Sequence, residues 1–239
     1  MAPDLILPLR DERRGRELET HVHLPPDARR APLIVFGHGW MGHPRKFGKL
    51  FAALTGAGYA VAAPAFPRTN DGSADPEFLD VVGQPEDLRH VARALALDGL
   101  GGRVDATRAV AAGFSLGGIT AAGAVYGAEP EPLFAGAVCV GGGVLEGGPA
   151  YTYRPVPLLV VHGTEDGTVP LALAERLYRE APAPKALVLL RYGRHEEEIE
   201  DEHGPAPRVV ESVLAFLDHV LRGASPAPLL ALARETDGL

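Results

Sequence analysis

With 239 residues, 46% of them hydrophobic, the chain is long enough to bury a sizeable core and fits one large domain better than two small ones. Its net charge of −8 and pI near 5.6, with basic residues scattered along the chain, argue against a nucleic-acid binder, because phosphate neutralisation needs clustered Lys and Arg. The lone cysteine, Cys139, excludes an internal disulfide framework and, in an apolar run, reads as a small buried hydrophobe.

The first ten residues combine no basic start with a long apolar stretch, and no later run reaches membrane-spanning length, so a soluble cytoplasmic protein is expected. The basic run Arg13, Arg14 and Arg16 is flanked by Asp11, Glu12, Glu17 and Glu19 and reads as a solvated surface turn. Residues Glu17 to Leu24 are polar and β-prone, an edge strand or hairpin closed by Pro25-Pro26. Pro32 to Phe36 and Tyr59 to Ala63 are short continuous apolar runs suited to strands buried on both faces. Between them, Phe47, Leu50, Phe51 and Leu54 recur at helical spacing and stop at Gly56 and Gly58.

The alternation continues. Helices are expected at Pro85–Leu97, Leu116–Tyr126, Leu171–Glu180 and Arg208–Arg222, and strands at Arg108–Ala112, Gly136–Val140, Pro157–Val161 and Ala186–Leu190. Such alternation implies an α/β architecture, a mostly parallel sheet covered on both faces. Residues 1–222 are expected to form a single domain, and 223–239 a C-terminal tail with about one turn of helix at Leu229–Ala233.

The strand-like run Ala109 to Ala112 ends in Gly113-Phe114-Ser115-Leu116-Gly117 and passes into a helix of small residues. That context gives the GxSxG pattern its weight, because a nucleophilic serine is presented on a strained strand-to-helix turn whose glycines admit neighbouring backbone. A serine hydroxyl is a weak nucleophile at neutral pH, so it needs a base, and the base needs an acid. After the Leu158–Val161 run, the loop His162-Gly163-Thr164-Glu165-Asp166-Gly167 offers two acids. Asp166, followed by Gly and then Val-Pro, is placed to turn back towards the serine, with Glu165 as the rival. His195 follows the final strand in the expected Ser, Asp, His order, and His203 is its rival.

Acyl transfer also needs two backbone donors for an oxyanion. Leu116 supplies one and Trp40, in the Gly37-His38-Gly39-Trp40-Met41-Gly42 loop after an early strand, the other. His38, His43 and His162 read as structural hydrogen-bonding residues. The acidic run Glu196 to Glu202 does not fit HExxH, since position 199 is Ile, and reads as a solvated helical face rather than a metal site.

The residues His38-Gly39-Trp40, Gly113 to Gly117, His162 to Asp166 and His195 together resemble the α/β-hydrolase family over about Leu33 to Leu221. Within it, Phe36 to Gly42, Ala63-Pro64-Ala65-Phe66-Pro67 and His162 to Pro170 look most like the compact esterases grouped with dienelactone hydrolases, chlorophyllases and polyester hydrolases. Dienelactone hydrolases proper carry cysteine where this chain has Ser115. Polyester hydrolases usually have His and Met beside the serine, where this chain has Phe114 and Leu116. The resemblance implies a cofactor-free, metal-free serine esterase acting on a small-molecule ester. A thioesterase or small-amide hydrolase would use the same triad, and a non-catalytic ligand-binding member of the fold is the reading from another class. The connection Gly141 to Pro155 is too short for a multi-helix cap, so an open site is expected, with Trp40, Met41, Phe66, Tyr151, Tyr153 and Val169 as candidate substrate-lining residues.

Overall fold

Along each central strand, successive side chains enter two different cores. The protein, a computed structural model describing residues 1–129, 131–195 and 199–239, shows this on β3 (Ala31–Gly37), where Leu33 and Val35 join one core and Ile34 and Phe36 the other. Both faces of the sheet are therefore covered, as continuous apolar strand runs require.

The chain opens with an antiparallel hairpin, β1 (Leu5–Asp11) and β2 (Arg16–His23). There follow β3, α1 (Gly48–Gly56), β4 (Ala60–Ala65), α2 (Gln84–Gly102), β5 (Val104–Phe114), α3 (Leu116–Tyr126), β6 (Phe134–Val140), β7 (Leu158–Gly163), α4 (Leu171–Glu180) and β8 (Lys185–Leu190). The chain closes with α5 (Pro207–Arg222), α6 (Ala227–Leu232) and β9 (Glu235–Asp237). The nine strands are ordered β1-β2-β4-β3-β5-β6-β7-β8-β9. From β4 to β8 neighbours are parallel, and both edges are antiparallel. Helices α2, α3 and α4 supply Leu88, Val125 and Leu177 to one core, whereas α1, α5 and α6 supply Phe51, Phe216 and Leu229 to the other. Among the described residues, no helix is long and apolar enough to cross a membrane.

The strand order fixes where a site can form. After β3 the chain moves to one side to form β4, and after β5 it moves to the other to form β6, although β3 and β5 are neighbours. The loops leaving the carboxyl ends of β3 and β5 thus diverge and open a crevice, the usual place for ligands in such sheets. Gly37 and Gly113 are paired at that point.

Two segments differ from the sequence reading. The basic turn is not simply solvated: Arg14 and Arg16 fold inwards onto Asp87 of α2, at 2.5 and 2.6 Å, and Arg16 also holds Asp80 at 2.6 Å. Acids distant in sequence, unseen by a local charge count, draw these arginines in. Because the Asp87 side chain is fully buried, removing its charge takes one carboxylate partner from each guanidinium, leaving Arg14 to Asp11 and Arg16 to Asp80. Asp87→Asn is therefore expected to cost about 3–5 kcal/mol, measured by urea unfolding; an unchanged midpoint would show that the hairpin is held by other means.

The segment from 223 to 239 is also more than one helical turn. Gly223 ends α5 in the left-handed region (φ 70°), and α6 then drops the fully buried Leu229 into the core. The N–H of Arg234 donates to the Leu187 carbonyl at 2.8 Å, and β9 pairs with β8. An open sheet edge offers unpaired backbone groups to any nearby segment, which polar residues such as Glu235-Thr236-Asp237 do not announce in sequence.

Candidate active site

Ser115 stands between the last residue of β5 and the first of α3 with φ 55° and ψ −121°, a region non-glycine residues seldom occupy. Two glycines make the turn possible. A Cβ on Gly113 would lie 2.1 Å from the Gly117 carbonyl oxygen, and one on Gly117 would lie 2.0 Å from that of Gly37. The elbow is tied to the sheet by the Ser115 N–H, which donates to the Val140 carbonyl at 2.8 Å. Its side chain thus sits at the crevice between the loops after β3 and β5.

The ends of β7 and β8 are paired at Gly163 and Leu190, and the loops beyond them are laced together. The N–H of Thr164 donates to Leu190, and that of Glu165 to Gly193, each at 3.0 Å. This lacing brings His195 and Asp166 together. His195 Nδ1 lies 2.6 Å from Asp166 Oδ2, and its Nε2 lies 2.9 Å from Ser115 Oγ. Glu165 is exposed and turned to solvent, and His203 is exposed in a turn at 201–203, so neither rival joins the cluster.

The Asp166 side chain is fully buried. Its Oδ1 accepts the N–H groups of Thr168 and Val169 at 2.8 Å each, leaving Oδ2 for His195. Burial pushes the carboxyl upwards, but the hydrogen bonds from His195 and the two backbone N–H groups outweigh it and hold the pKa below the usual carboxylate value. Behind it, His162 places Nε2 3.0 Å from the Val169 carbonyl and 3.5 Å from Asp166 Oδ2, fixing the loop from below. The His195 ring rests on Phe114, centroids 4.8 Å apart. Phe114 and His162 therefore position the cluster, and the only sequence signals were their places beside Ser115 and at the end of β7.

The loop after β3 is built around His38. This residue is buried; its Nδ1–H donates to the Gly39 carbonyl at 2.8 Å, and its Nε2 accepts the Phe66 N–H at 3.0 Å. Burial lowers its pKa to about 4, so the ring is neutral. Between about pH 6.5 and 4 the unfolded chain binds this proton and the folded one does not. Stability is thus at its full value above pH 6.5 and declines as pH falls towards 4, by up to about 3 kcal/mol from this group. Urea unfolding at several pH values should show a shallower acid decline for His38→Gln; an identical decline would contradict a buried neutral His38.

Gly39 packs against the elbow: a Cβ there would meet the Ser115 Cβ at 3.1 Å. Trp40 follows, 41% exposed and in edge contact with Phe78 at 5.6 Å, and Leu116 is buried at the start of α3. The other candidate lining residues scatter. Phe66 is fully buried against His38, so it packs the core and lines nothing. Met41 is half-buried in the loop with φ 51°. Val169 is half-buried, with its backbone engaged by Asp166 and His162. The Tyr153 hydroxyl donates to Glu180 at 3.1 Å, away from the serine. Tyr151 donates to the Ile119 carbonyl and, with Ile119, Leu145, Val82 and Pro85, walls an apolar cleft of about 180 Å³. Ile119 lies one helical turn beyond Ser115, about 6 Å along the α3 axis. The 141–157 connection contains no helix.

The acidic run does not form the expected helical face where it can be followed. Glu196, Glu197 and Glu198 lie outside the described residues; Ile199 is buried in the core, and a turn follows at 201–203. Asp201 clamps that turn to α1, its Oδ1 accepting the Lys49 N–H at 2.7 Å.

No family model matches the chain. A stretch of 66 residues is 38% identical to the uncharacterized protein YfhR of Escherichia coli K12, and equally to its O157:H7 counterpart. That stretch is 27% of this chain and 23% of theirs, so the match spans about a quarter of these relatives. Among solved structures, the chain is similar to esterase 2 of Thermogutta terrifontis phosphonylated by sarin, with TM-score 0.69 and 19% identity over 90% of this chain and 94% of that one. The butyrate-bound form of that thermophilic esterase gives TM-score 0.67 and 19% identity over 88% and 92%. Together with the sheet order and the helices on both faces, these likenesses define the α/β-hydrolase fold for this protein.

Proposed function

We propose that the protein is a serine hydrolase of carboxylic esters, working through an acyl-enzyme on Ser115. The observation that carries this reading is the continuous chain Ser115 Oγ to His195 Nε2 at 2.9 Å and His195 Nδ1 to Asp166 Oδ2 at 2.6 Å. His195 takes the Ser115 proton as Oγ attacks the ester carbonyl, and Asp166 holds the imidazole with Nδ1–H inwards and balances the imidazolium. The negative oxygen of the tetrahedral intermediate is held by the N–H groups of Leu116 and Trp40, each worth about 3–4 kcal/mol. The intermediate collapses as His195 returns its proton to the departing alcohol. Water, deprotonated by the same histidine, then releases the acid and restores Ser115. This needs neither metal nor cofactor.

An ester substrate is supported by the structural neighbours, one described as an esterase phosphonylated by sarin and the other as butyrate-bound. The absence of a helix in the 141–157 connection and the exposed Trp40 favour an open site for small esters. The resemblance to the dienelactone hydrolase-like esterases accords with the Trp40 loop and the acid-bearing loop after β7. Nitrophenyl esters of increasing acyl length, with thioester and anilide analogues, test the reading. Wild type should cleave the esters fastest and Ser115→Ala should fall to background. Ester turnover surviving in Ser115→Ala would refute it.

A further inference from the structure

On the opposite flank of the β3–α1 connection, the loop folds over β2 and gathers three ligating side chains. Glu19 and His21 are two residues apart on β2 and so share one face of the sheet. His43 comes from the loop, and the ligating atoms of the three lie within 4.8 Å of one another. The rings of His21 and His43 meet edge to face at 5.1 Å.

His21 is the unusual member. It is 7% exposed, its Nε2 points at Glu19 Oε1 from 2.9 Å, and its buried Nδ1 has no hydrogen-bond partner. Neither neutral form suits this setting. A proton on Nε2 leaves the Nδ1 lone pair buried and unpaired; a proton on Nδ1 leaves that donor unpaired and faces the Nε2 lone pair with a carboxylate oxygen. His43 accepts the Arg45 N–H on Nδ1 at 3.2 Å, which leaves Nε2 for another partner.

We infer that Glu19, His21 and His43 form a binding site for a divalent transition-metal ion of the zinc class, separate from the Ser115 site. With the His21 proton on Nδ1, a cation at this point replaces the repulsion between the Nε2 lone pair and the Glu19 carboxylate by two bonds to one centre. Two imidazole nitrogens and a carboxylate suit zinc, nickel or copper better than calcium or magnesium, which favour all-oxygen sets. Metal–ligand bonds of about 2.0–2.1 Å place tetrahedral ligand atoms about 3.4 Å apart, so the exposed Glu19 carboxylate opens slightly from its 2.9 Å contact with His21 while the half-buried His43 side chain turns in. A groove bordered by Glu19, His43, Pro67 and Asn70 gives the ion a solvent path and leaves its fourth position for water. His43 lies two residues beyond Met41, so a bound ion ties the loop bearing Trp40 to β2.

The test uses the full chain, stripped with chelator and desalted, then titrated with Zn²⁺ by calorimetry and with Co²⁺ by visible absorption. Wild type should bind one ion per chain, melt at a higher temperature with Zn²⁺, and give the d–d bands of a low-coordinate Co²⁺ site. Loss of an outer-shell partner already costs about 10–100-fold in metal affinity, so loss of a ligand should cost more than about 100-fold. His43→Gln, at a half-buried loop position, and Glu19→Gln keep the fold testable if His21→Ala does not, with circular dichroism as the check. No binding by wild type would overturn the site. So would unchanged binding in the His43→Gln, Glu19→Gln double variant, which would place the ion elsewhere.

Discussion

Replacing His195 by Ala is expected to lower kcat/KM for an activated ester by about 10⁶-fold, the scale seen when the base of a serine triad is removed. His203→Ala should change it little. His195 is 8% exposed, with both ring nitrogens committed, one to Ser115 and one to Asp166, whereas His203 lies in an exposed turn. Without the imidazole, Ser115 keeps its proton and attack depends on bulk water as the base. The structural cost is the ring contact with Phe114 and the hydrogen bond to the buried Asp166 Oδ2, and the melting temperature separates lost chemistry from lost structure. A large loss in His203→Ala with activity retained in His195→Ala would reverse the assignment.

Asp166→Asn should lower kcat by about 10⁴-fold with the fold retained, while Glu165→Gln leaves activity intact. The reason lies in the inventory of donors. Asp166 accepts the N–H groups of Thr168 and Val169 through Oδ1 and His195 through Oδ2. An asparagine satisfies the two backbone donors with its single oxygen and must then turn its NH₂ towards His195 Nδ1. The imidazole answers by moving its proton to Nε2, where it faces Ser115 and can no longer accept from it. The defect is therefore in kcat, and binding of a non-hydrolysable ester analogue should be preserved. An equal rise in KM with unchanged kcat would instead assign Asp166 to substrate binding.

Much of this was legible because the sheet is buried on both faces. Strands such as Pro32–Phe36 and Leu158–Val161 must be continuously apolar, and the helices between them carry apolar spacing or, in α3, a run of small residues that only close packing explains. The order of Ser115, Asp166 and His195 was legible for the same reason: each follows a run recognisable as a central strand. What the sequence hid depends on contacts made across the fold. Arg14 and Arg16 look like a solvated turn until α2 brings Asp87 beneath them, and Phe66 looks like a pocket residue until His38 covers it. Strand β9 was invisible because its pairing comes from the open edge of β8 and not from its own polar residues. Ile199, set among six acids, gave no local sign that it enters the core.

The central claim is that Ser115 is a nucleophile activated in place, and intact-mass analysis after treatment with a fluorophosphonate addresses it directly. Wild type should gain a single phosphonyl adduct, mapping by peptide fragmentation to Ser115, while Ser115→Ala gains none and His195→Ala reacts far more slowly. Equal labelling of wild type and Ser115→Ala, or an adduct mapping to another residue, would contradict the account.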